Sequence, residues 1–305
     1  MTNEPGRLWT IRDLMRVAID HLQRNGIDDA RLNVELLLAH ALELPRITLY
    51  TSFDRPLTGD ELKRFRALYE RRLRREPLQY IVGSTSFMGL TFAVDPRVFI
   101  PRPETETLIE QIMVVCSERL PDQPVNVLEV GTGSGNIAVT VAKYVKLSSV
   151  TTIDTSELAL EVARHNARLH LVDQAIEFHR MDVFEPVDQL LRKRFDVLVS
   201  NPPYVARDEW DELQEEIRGH EPRGAVTDER DGYEFYRRMI ELAPFLLNDR
   251  GDVLVEVGYG QAAVVRQMME TAGWSDLRVT HDLDGTSRVV SGRCRARSRN
   301  AVINN

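Results

Sequence analysis

The chain has 305 residues, 43% hydrophobic and 28% charged, a composition that fits a soluble globular protein of two domains and excludes disordered, collagenous and disulfide-stapled classes. Its 39 Lys/Arg stand against 47 Asp/Glu, a net charge of −8, which argues against a surface built wholly for nucleic-acid phosphates. No apolar run reaches the roughly 18–20 residues of a membrane helix and Met1–Thr10 lacks a signal-peptide pattern, so a cytoplasmic location is expected; Cys116 and Cys294 are too few for a zinc site or a disulfide framework.

Charge is uneven along the chain. Through Thr85 there are 14 Lys/Arg against 12 Asp/Glu, and beyond it 25 against 35, so a mildly basic front precedes an acidic back. The front reads as helices. Leu14, Val17, Ala18, His21 and Leu22 follow a Thr10-x-x-Asp13 capping box and stop at Gly26, and Ala30–Leu44 carries a second apolar stripe that ends at Pro45. A third helix runs from the Thr58-x-x-Glu61 box through Leu73 toward Pro77. Arg64, Arg66, Arg71, Arg72, Arg74 and Arg75 cluster near its C-terminal end, where the helix dipole favours cations. This cluster is expected to be a solvated face, with docking of an acidic or RNA-bound partner as the alternative.

Ser86–Val94 alternates apolar residues about Gly89, as a short hairpin does, and is expected to link the two units. Pro101 and Pro103 then impose an extended corner, Ile100-Pro101-Arg102-Pro103-Glu104-Thr105-Glu106, ahead of a helix through Leu108, Ile109, Ile112 and Met113. Arg102, Glu104 and Glu106 suit either a site wall or a structural corner. From Val125 strands and helices alternate, the mark of an α/β unit with a largely parallel sheet. Strands are predicted at Val125–Val130, Val150–Ile153, Ile176–His179, Phe195–Ser200, Gly251–Val257, Leu277–Thr280 and Arg288–Ser291, and 295–305 reads as a polar tail.

Glu129-Val130-Gly131-Thr132-Gly133-Ser134-Gly135 lies between the first strand of this unit and the following helix. Its glycines permit close approach of a ligand to the backbone. Asn136 occupies the third glycine position of a dinucleotide fingerprint, so the turn suits a nucleoside without a pyrophosphate. Asp154 ends the second strand 19 residues after Gly135, where a doubly wound fold offers a carboxylate to a ribose diol; the competing role is a cap for the helix that starts at Ser156. Asp182 can accept from an adenine amino group, with Val183 and Phe184 as an apolar wall. Asn201-Pro202-Pro203-Tyr204 directly follows the fourth strand. Two prolines remove amide donors and hold carbonyls and the Asn oxygen as acceptors beside a flat aromatic, an arrangement that grips a planar NH2 group.

With these motifs the chain resembles class I S-adenosylmethionine-dependent methyltransferases, in the branch whose Asn-Pro-Pro-Tyr motif acts on planar amino groups. Pro77-Leu78-Gln79-Tyr80-Ile81-Val82-Gly83, Phe87-x-Gly89-Leu90-x-Phe92, Ile100–Glu106, His220-Glu221-Pro222-Arg223 and Asp231-Gly232 extend the resemblance, over nearly the whole chain, to the peptide chain release factor N5-glutamine methyltransferases. The resemblance implies an α/β fold: a helical N-terminal domain over 1–82 that helps hold a release factor, a β-hairpin linker over 83–98, and a Rossmann-like methyltransferase domain over 99–294. That domain would have a seven-stranded, mostly parallel sheet with its last strand antiparallel. It also implies S-adenosylmethionine as cofactor, S-adenosylhomocysteine as product and class I release factors as partner, with no metal, membrane or direct nucleic-acid partner. The methionine part of the cofactor would lie along Gly131, Thr132, Gly133, Ser134 and Gly135, the ribose on Asp154 and the adenine near Asp182 and Val183. Asn201, beside the cofactor, and the Pro202 carbonyl would accept the two substrate amide hydrogens, with Tyr204 packing on the amide and Pro203 shaping the turn. Glu129 stands where the family usually has Asp, Val183 where it commonly has Trp, and Thr227–Arg230 replaces a more glycine-rich stretch.

A carboxamide nitrogen is a poor nucleophile because its lone pair is delocalised. Two acceptors on its N–H bonds fix it and strengthen as positive charge develops, so direct SN2 transfer without prior deprotonation is expected. A DNA adenine-N6 methyltransferase shares the Asn-Pro-Pro-Tyr logic but needs a basic surface. A ribosomal-protein glutamine methyltransferase and a non-catalytic cofactor-binding module are the remaining readings. No histidine pair has metal-ligand spacing.

Overall fold

The computed structural model describes residues 8–119 and 123–294, so the tail expected over 295–305 lies outside the described residues. The chain divides into two compact units, one comprising the residues up to Gly83 together with Gln214–His220, the other Ser84–Leu213 and the residues from Glu221 onward.

The first unit is built on α1 (Ile11–Arg24), α2 (Ala30–Leu42), α3 (Arg46–Thr51), α4 (Gly59–Leu73) and α5 (Leu78–Val82). Both predicted caps form. The Thr10 hydroxyl accepts from the Asp13 amide at 3.2 Å, and Thr58 and Glu61 satisfy each other's amides at 3.3 and 2.8 Å. Gly26, at φ +64°, ends the first turn region as expected. Ile11, Leu14, Leu22, Leu37, Leu38, Leu49 and Phe65 close a buried core.

The arginine cluster is not simply a solvated face. Arg66 and Arg74 are exposed, but Arg72 is only 7% exposed, and it donates to Asn33 Oδ1 at 2.7 Å and to Glu216 at 3.0 Å. Arg75 donates to the Asn25 and Gly26 carbonyls at 2.7 and 3.0 Å, and Arg64 to the Ala41 carbonyl at 2.9 Å. Helix ends leave carbonyls without intrahelical donors; Arg64 of α4 and Arg75, just beyond it, supply guanidinium groups to carbonyls at the ends of α2 and α1.

The second unit opens with a hairpin, β1 (Ser84–Phe87) and β2 (Leu90–Ala93), that turns through Met88 and Gly89. The hairpin packs on this unit's own core, where Phe87 and Phe92 are buried with Leu108, Ile112 and Val139. There follow α6 (Glu106–Arg119), β3 (Val125–Val130), α7 (Asn136–Tyr144), β4 (Ser148–Asp154), α8 (Glu157–Leu169), β5 (Ile176–Arg180) and β6 (Phe195–Ser200). After α9 (Glu215–His220), which belongs to the first unit, come α10 (Glu234–Leu246), β7 (Leu247–Glu256), α11 (Ala262–Thr271), β8 (Ser275–His281) and β9 (Ser287–Arg293).

The sheet order is β5-β4-β3-β6-β7-β9-β8, with only β9 running against its neighbours. All seven predicted strands are present. The sheet is covered on both sides: Leu128 and Val130 of β3 join a core with α10 and α11, while Val125 and Val127 join one with α6 and α7. Burial on both faces explains why these strands read as apolar runs rather than as an alternation. Cys116 and Cys294 are buried, and burial pushes their thiols up to about 11 and 12. Among the described residues no helix is long and apolar enough to cross a membrane.

Candidate active site

The carboxyl ends of β3, β4, β6 and β7 lie side by side, since Val130 pairs with both Ile153 and Ser200, and Ser200 with Val255. This is the edge at which parallel α/β sheets bind ligands, next to the point where strand order reverses between β3 and β6. The glycine turn leaves β3 there. Gly131 and Gly133 have φ of +87° and +51°, a region that favours glycine. A Cβ on Gly133 would meet nothing within 4 Å, and one on Gly131 would come no closer to a neighbour than 3.8 Å, at the Asn201 carbonyl. Open space therefore borders the backbone from this turn to Asn201.

The other turn residues face the protein. Thr132 is buried with its hydroxyl 2.6 Å from that of Thr152, Ser134 is buried, and its carbonyl accepts from Asn166 at 2.9 Å. A Cβ on Gly135 would lie 3.0 Å from Ala163 Cβ, so this glycine serves the packing of α7 on α8. Thr132, Ser134 and Gly135 are buried, so among these five residues the turn presents its surface at Gly131 and Gly133.

Asp154 binds the turn directly. Its Oδ2 accepts from the Gly133 amide at 3.0 Å and its Oδ1 from Ser156 at 2.9 Å, while Ser156 itself caps α8 through the Ala159 amide. The two motifs that the sequence placed together are thus physically joined. Asp182 accepts from the Phe184 amide at 2.9 Å and is half-buried. Val183 departs from its expected place as a wall: its side chain sits in the core and its carbonyl accepts from Arg238 at 2.8 Å. An exposed aromatic beside it is Phe184, set edge-on to Phe235 at 5.0 Å.

Glu129, the last but one residue of β3, is fully buried. The Thr152 hydroxyl donates to its Oε2, but its Oε1 has no hydrogen-bond partner. Burial pushes its carboxyl up to about 8 against the pull of Thr152. A buried polar atom left unpaired beside a glycine turn fits a cationic ligand group.

Asn201 follows β6 as expected. Its Nδ2 donates to the Thr105 hydroxyl at 3.1 Å, and among the described residues nothing donates to its Oδ1. Pro202 is buried and Pro203 half-buried. The Tyr204 ring is partly enclosed against the core; burial, reinforced by the charge of Glu256, holds its phenol well above its usual range and keeps it neutral. Gly232 and Gly258 allow this enclosure, since a Cβ on the first would stand 2.5 Å from the Tyr204 carbonyl and on the second 2.9 Å from the ring.

Sequence reasoning missed several residues that build this site. Thr105, Glu256 and Gln261 contact the Asn201–Tyr204 loop from distant parts of the chain. Glu256 carried the one available signal, a carboxylate at a strand end. Arg102 pairs with buried Glu221, which also accepts from the Ile100 amide at 3.2 Å, and Glu106 accepts from Met88 at 2.6 Å; both are structural corner residues. Glu104 lies 3.7 Å from Arg288, closer to the strand ends.

Comparison with known proteins agrees with this architecture. Residues 13–83 match a family described as the PrmC N-terminal domain, and 108–218 match the methyltransferase small domain. A release factor glutamine methyltransferase of Geobacter sulfurreducens is 40% identical over 96% of this chain and 99% of its own. One from Chlorobaculum tepidum is 41% identical over 93% of this chain and 97% of its own. Among solved structures, the hMettl16 catalytic domain is 13% identical with a TM-score of 0.52, covering 74% of this chain and 81% of that one; this is a likeness of fold. The strand-end carboxylates, the open glycine turn and the Asn-Pro-Pro-Tyr loop, taken with near-full-length identity, make this chain a member of the release factor glutamine methyltransferase family.

Proposed function

We propose that the chain transfers a methyl group from S-adenosylmethionine to N5 of the glutamine in the Gly-Gly-Gln loop of class I peptide chain release factors, and that it works in the cytoplasm, where these factors act. The observation that carries the reading is the orientation of Asn201. Its NH2 is committed to Thr105, so its carbonyl oxygen is left as the acceptor. An acceptor is what a primary amide substrate requires, because both of its hydrogens must be gripped to aim the nitrogen.

The residues fit the cofactor. The unpaired Glu129 Oε1 suits an α-ammonium, the open faces of Gly131 and Gly133 suit its main chain, and Asp154 and Asp182 suit the ribose and the adenine amino group. When bound, S-adenosylmethionine supplies an electrophilic methyl on sulfur. The chain's own task is positioning. Asn201 Oδ1 and the Pro202 carbonyl accept from the substrate NH2, Tyr204 packs on its plane, and Pro203 keeps the loop extended. These acceptors gain strength as the nitrogen becomes positive, so they favour the transition state over the ground state. Fixing the nitrogen in line supplies several kcal/mol more. The helical unit is assigned to holding the release factor.

Incubating the protein with S-adenosylmethionine and a purified class I release factor tests the reading. Mass spectrometry of the Gly-Gly-Gln peptide is expected to show one added methyl, lost with Asn201→Ala while cofactor binding persists. An unmodified loop with cofactor bound overturns it and points to a ribosomal-protein glutamine. Full turnover by Asn201→Ala would remove the acceptor role.

A further inference from the structure

The buried carboxylate of Glu256 has no place in the reading above. It ends β7, is 2% exposed, and its Oε2 has no hydrogen-bond partner. The Thr105 hydroxyl and the Asn201 amide both face it with hydrogen-bonding groups; Arg288, Glu104, Tyr204 and Tyr236 are the other charged or titratable groups that sense it. A carboxylate placed in the interior without a full set of partners costs stability, so its presence beside the substrate-gripping asparagine calls for a reason.

We infer that Glu256 is a positioning residue for methyl transfer, which acts through the Thr105 hydroxyl to hold the Asn201 amide with Oδ1 turned toward the substrate. The argument is one of hydrogen-bond polarity. A threonine hydroxyl has a single proton. Thr105 Oγ1 accepts from Asn201 Nδ2 at 3.1 Å, so its own proton must go to an acceptor, and an ionised carboxylate can only accept. With ionised Glu256 as the acceptor of that proton the chain runs in one sense, from Asn201 NH2 to Thr105 to Glu256, and a flipped asparagine would set its Oδ1 against the lone pairs of the hydroxyl. Thr105 is 1% exposed, so water cannot substitute.

Protonation reverses the sense. A neutral Glu256 can donate to Thr105, whose proton then seeks Asn201 Oδ1, and the amide turns its NH2 toward the substrate, donor against donor. Burial pushes this carboxyl up to about 7, with Thr105, Arg288 and Asn201 pulling down and Glu104 pushing up, so the reversal falls near neutral pH. Tyr204 and Tyr236 are held neutral there.

The inference rests on the proposed amide chemistry, and its test separates the two. Glu256→Gln, Thr105→Val and Thr105→Ser are compared with the parent for methylation of an intact release factor, cofactor affinity and melting temperature. Glu256→Gln and Thr105→Val are expected to lower kcat about tenfold to a hundredfold with release-factor KM and cofactor Kd little changed. Thr105→Ser, which keeps the hydroxyl, restores turnover. The parent's kcat falls on the acid side of neutrality, and this limb is absent from Glu256→Gln. An inactive parent defeats the functional reading; an active parent with unaffected Glu256→Gln and Thr105→Val defeats this inference. Equal loss in Thr105→Ser and Thr105→Val also defeats it, as a packing effect. A readout independent of substrate is the NMR signal of the Asn201 side-chain NH2 in asparagine-labelled protein, identified by its loss in Asn201→Ala. It is expected to shift with pH in the parent but not in Glu256→Gln, and a signal that titrates identically in both overturns the inference.

Discussion

Gln261 anchors the Tyr204 backbone to the end of β7: its Nε2 donates to the Tyr204 carbonyl at 2.8 Å while its Oε1 accepts from the Gly258 amide at 2.9 Å. One side chain thus satisfies the loop that follows β6 and the loop that follows β7. Gln261→Glu keeps the acceptor but removes the donor, leaving a carboxylate against the Tyr204 carbonyl. We expect a loss of about 1–3 kcal/mol in denaturant unfolding and about a tenfold fall in kcat for methylation. Unchanged turnover would show that the loop keeps its shape without this tie.

The glycines of the turn divide by role. Gly135→Ala would press a methyl to 3.0 Å from Ala163 Cβ at φ +81°, so a loss of about 1–3 kcal/mol is expected. Gly133→Ala has open space at φ +51° and costs only backbone strain, about 1–2 kcal/mol. Calorimetric titration is expected to show the reverse order for cofactor affinity, with Gly133→Ala weaker, because its methyl enters the ligand's space.

Burial raises Glu129 from its ordinary 4.5 to about 8. The folded state therefore holds a proton that the unfolded state has released between those values, and stability falls as pH rises from about 4.5 to 8. Below that window the group contributes no slope. Glu129→Gln is expected to flatten this part of a melting-temperature profile. Binding a cationic group beside Oε1 favours ionisation, so cofactor binding near pH 7 should release a proton to the buffer, measured as buffer-dependent calorimetric heat, and Glu129→Gln should abolish the release.

Arg72→Ala separates a structural guanidinium from a solvated one. It strands Asn33 Oδ1 and weakens the hold on Glu216, the partners of Arg72 at 2.7 and 3.0 Å. We expect about 1–3 kcal/mol of destabilisation in unfolding, against within about 0.5 kcal/mol for Arg66→Ala on the exposed side. Equal effects would return the cluster to a solvated face.

Much of this architecture is legible in the residues themselves. Thr10 and Thr58 mark helix starts, the two-sided apolar runs mark strands buried on both faces, and Gly131–Gly135, Asp154 and Asn201–Tyr204 each follow a strand. These signals are local, since capping, periodicity and proline geometry depend on neighbours within a few positions.

The partners of those residues are not local. Thr105 meets Asn201 across 96 positions and Arg72 meets Glu216 across 144, and only sheet order and the return of Gln214–His220 to the helical unit bring them together. Val183 and Gly135 show the same limit from the other side: each belongs to a predicted site, yet packing turns the Val183 side chain into the core and brings the Gly135 backbone close against α8. The sequence by itself determined the α/β class, the strand-end motifs and the kind of group they grip. The tertiary structure alone decided which atoms of those motifs are free to act, because hydrogen-bond saturation and burial are settled between segments that the chain keeps far apart.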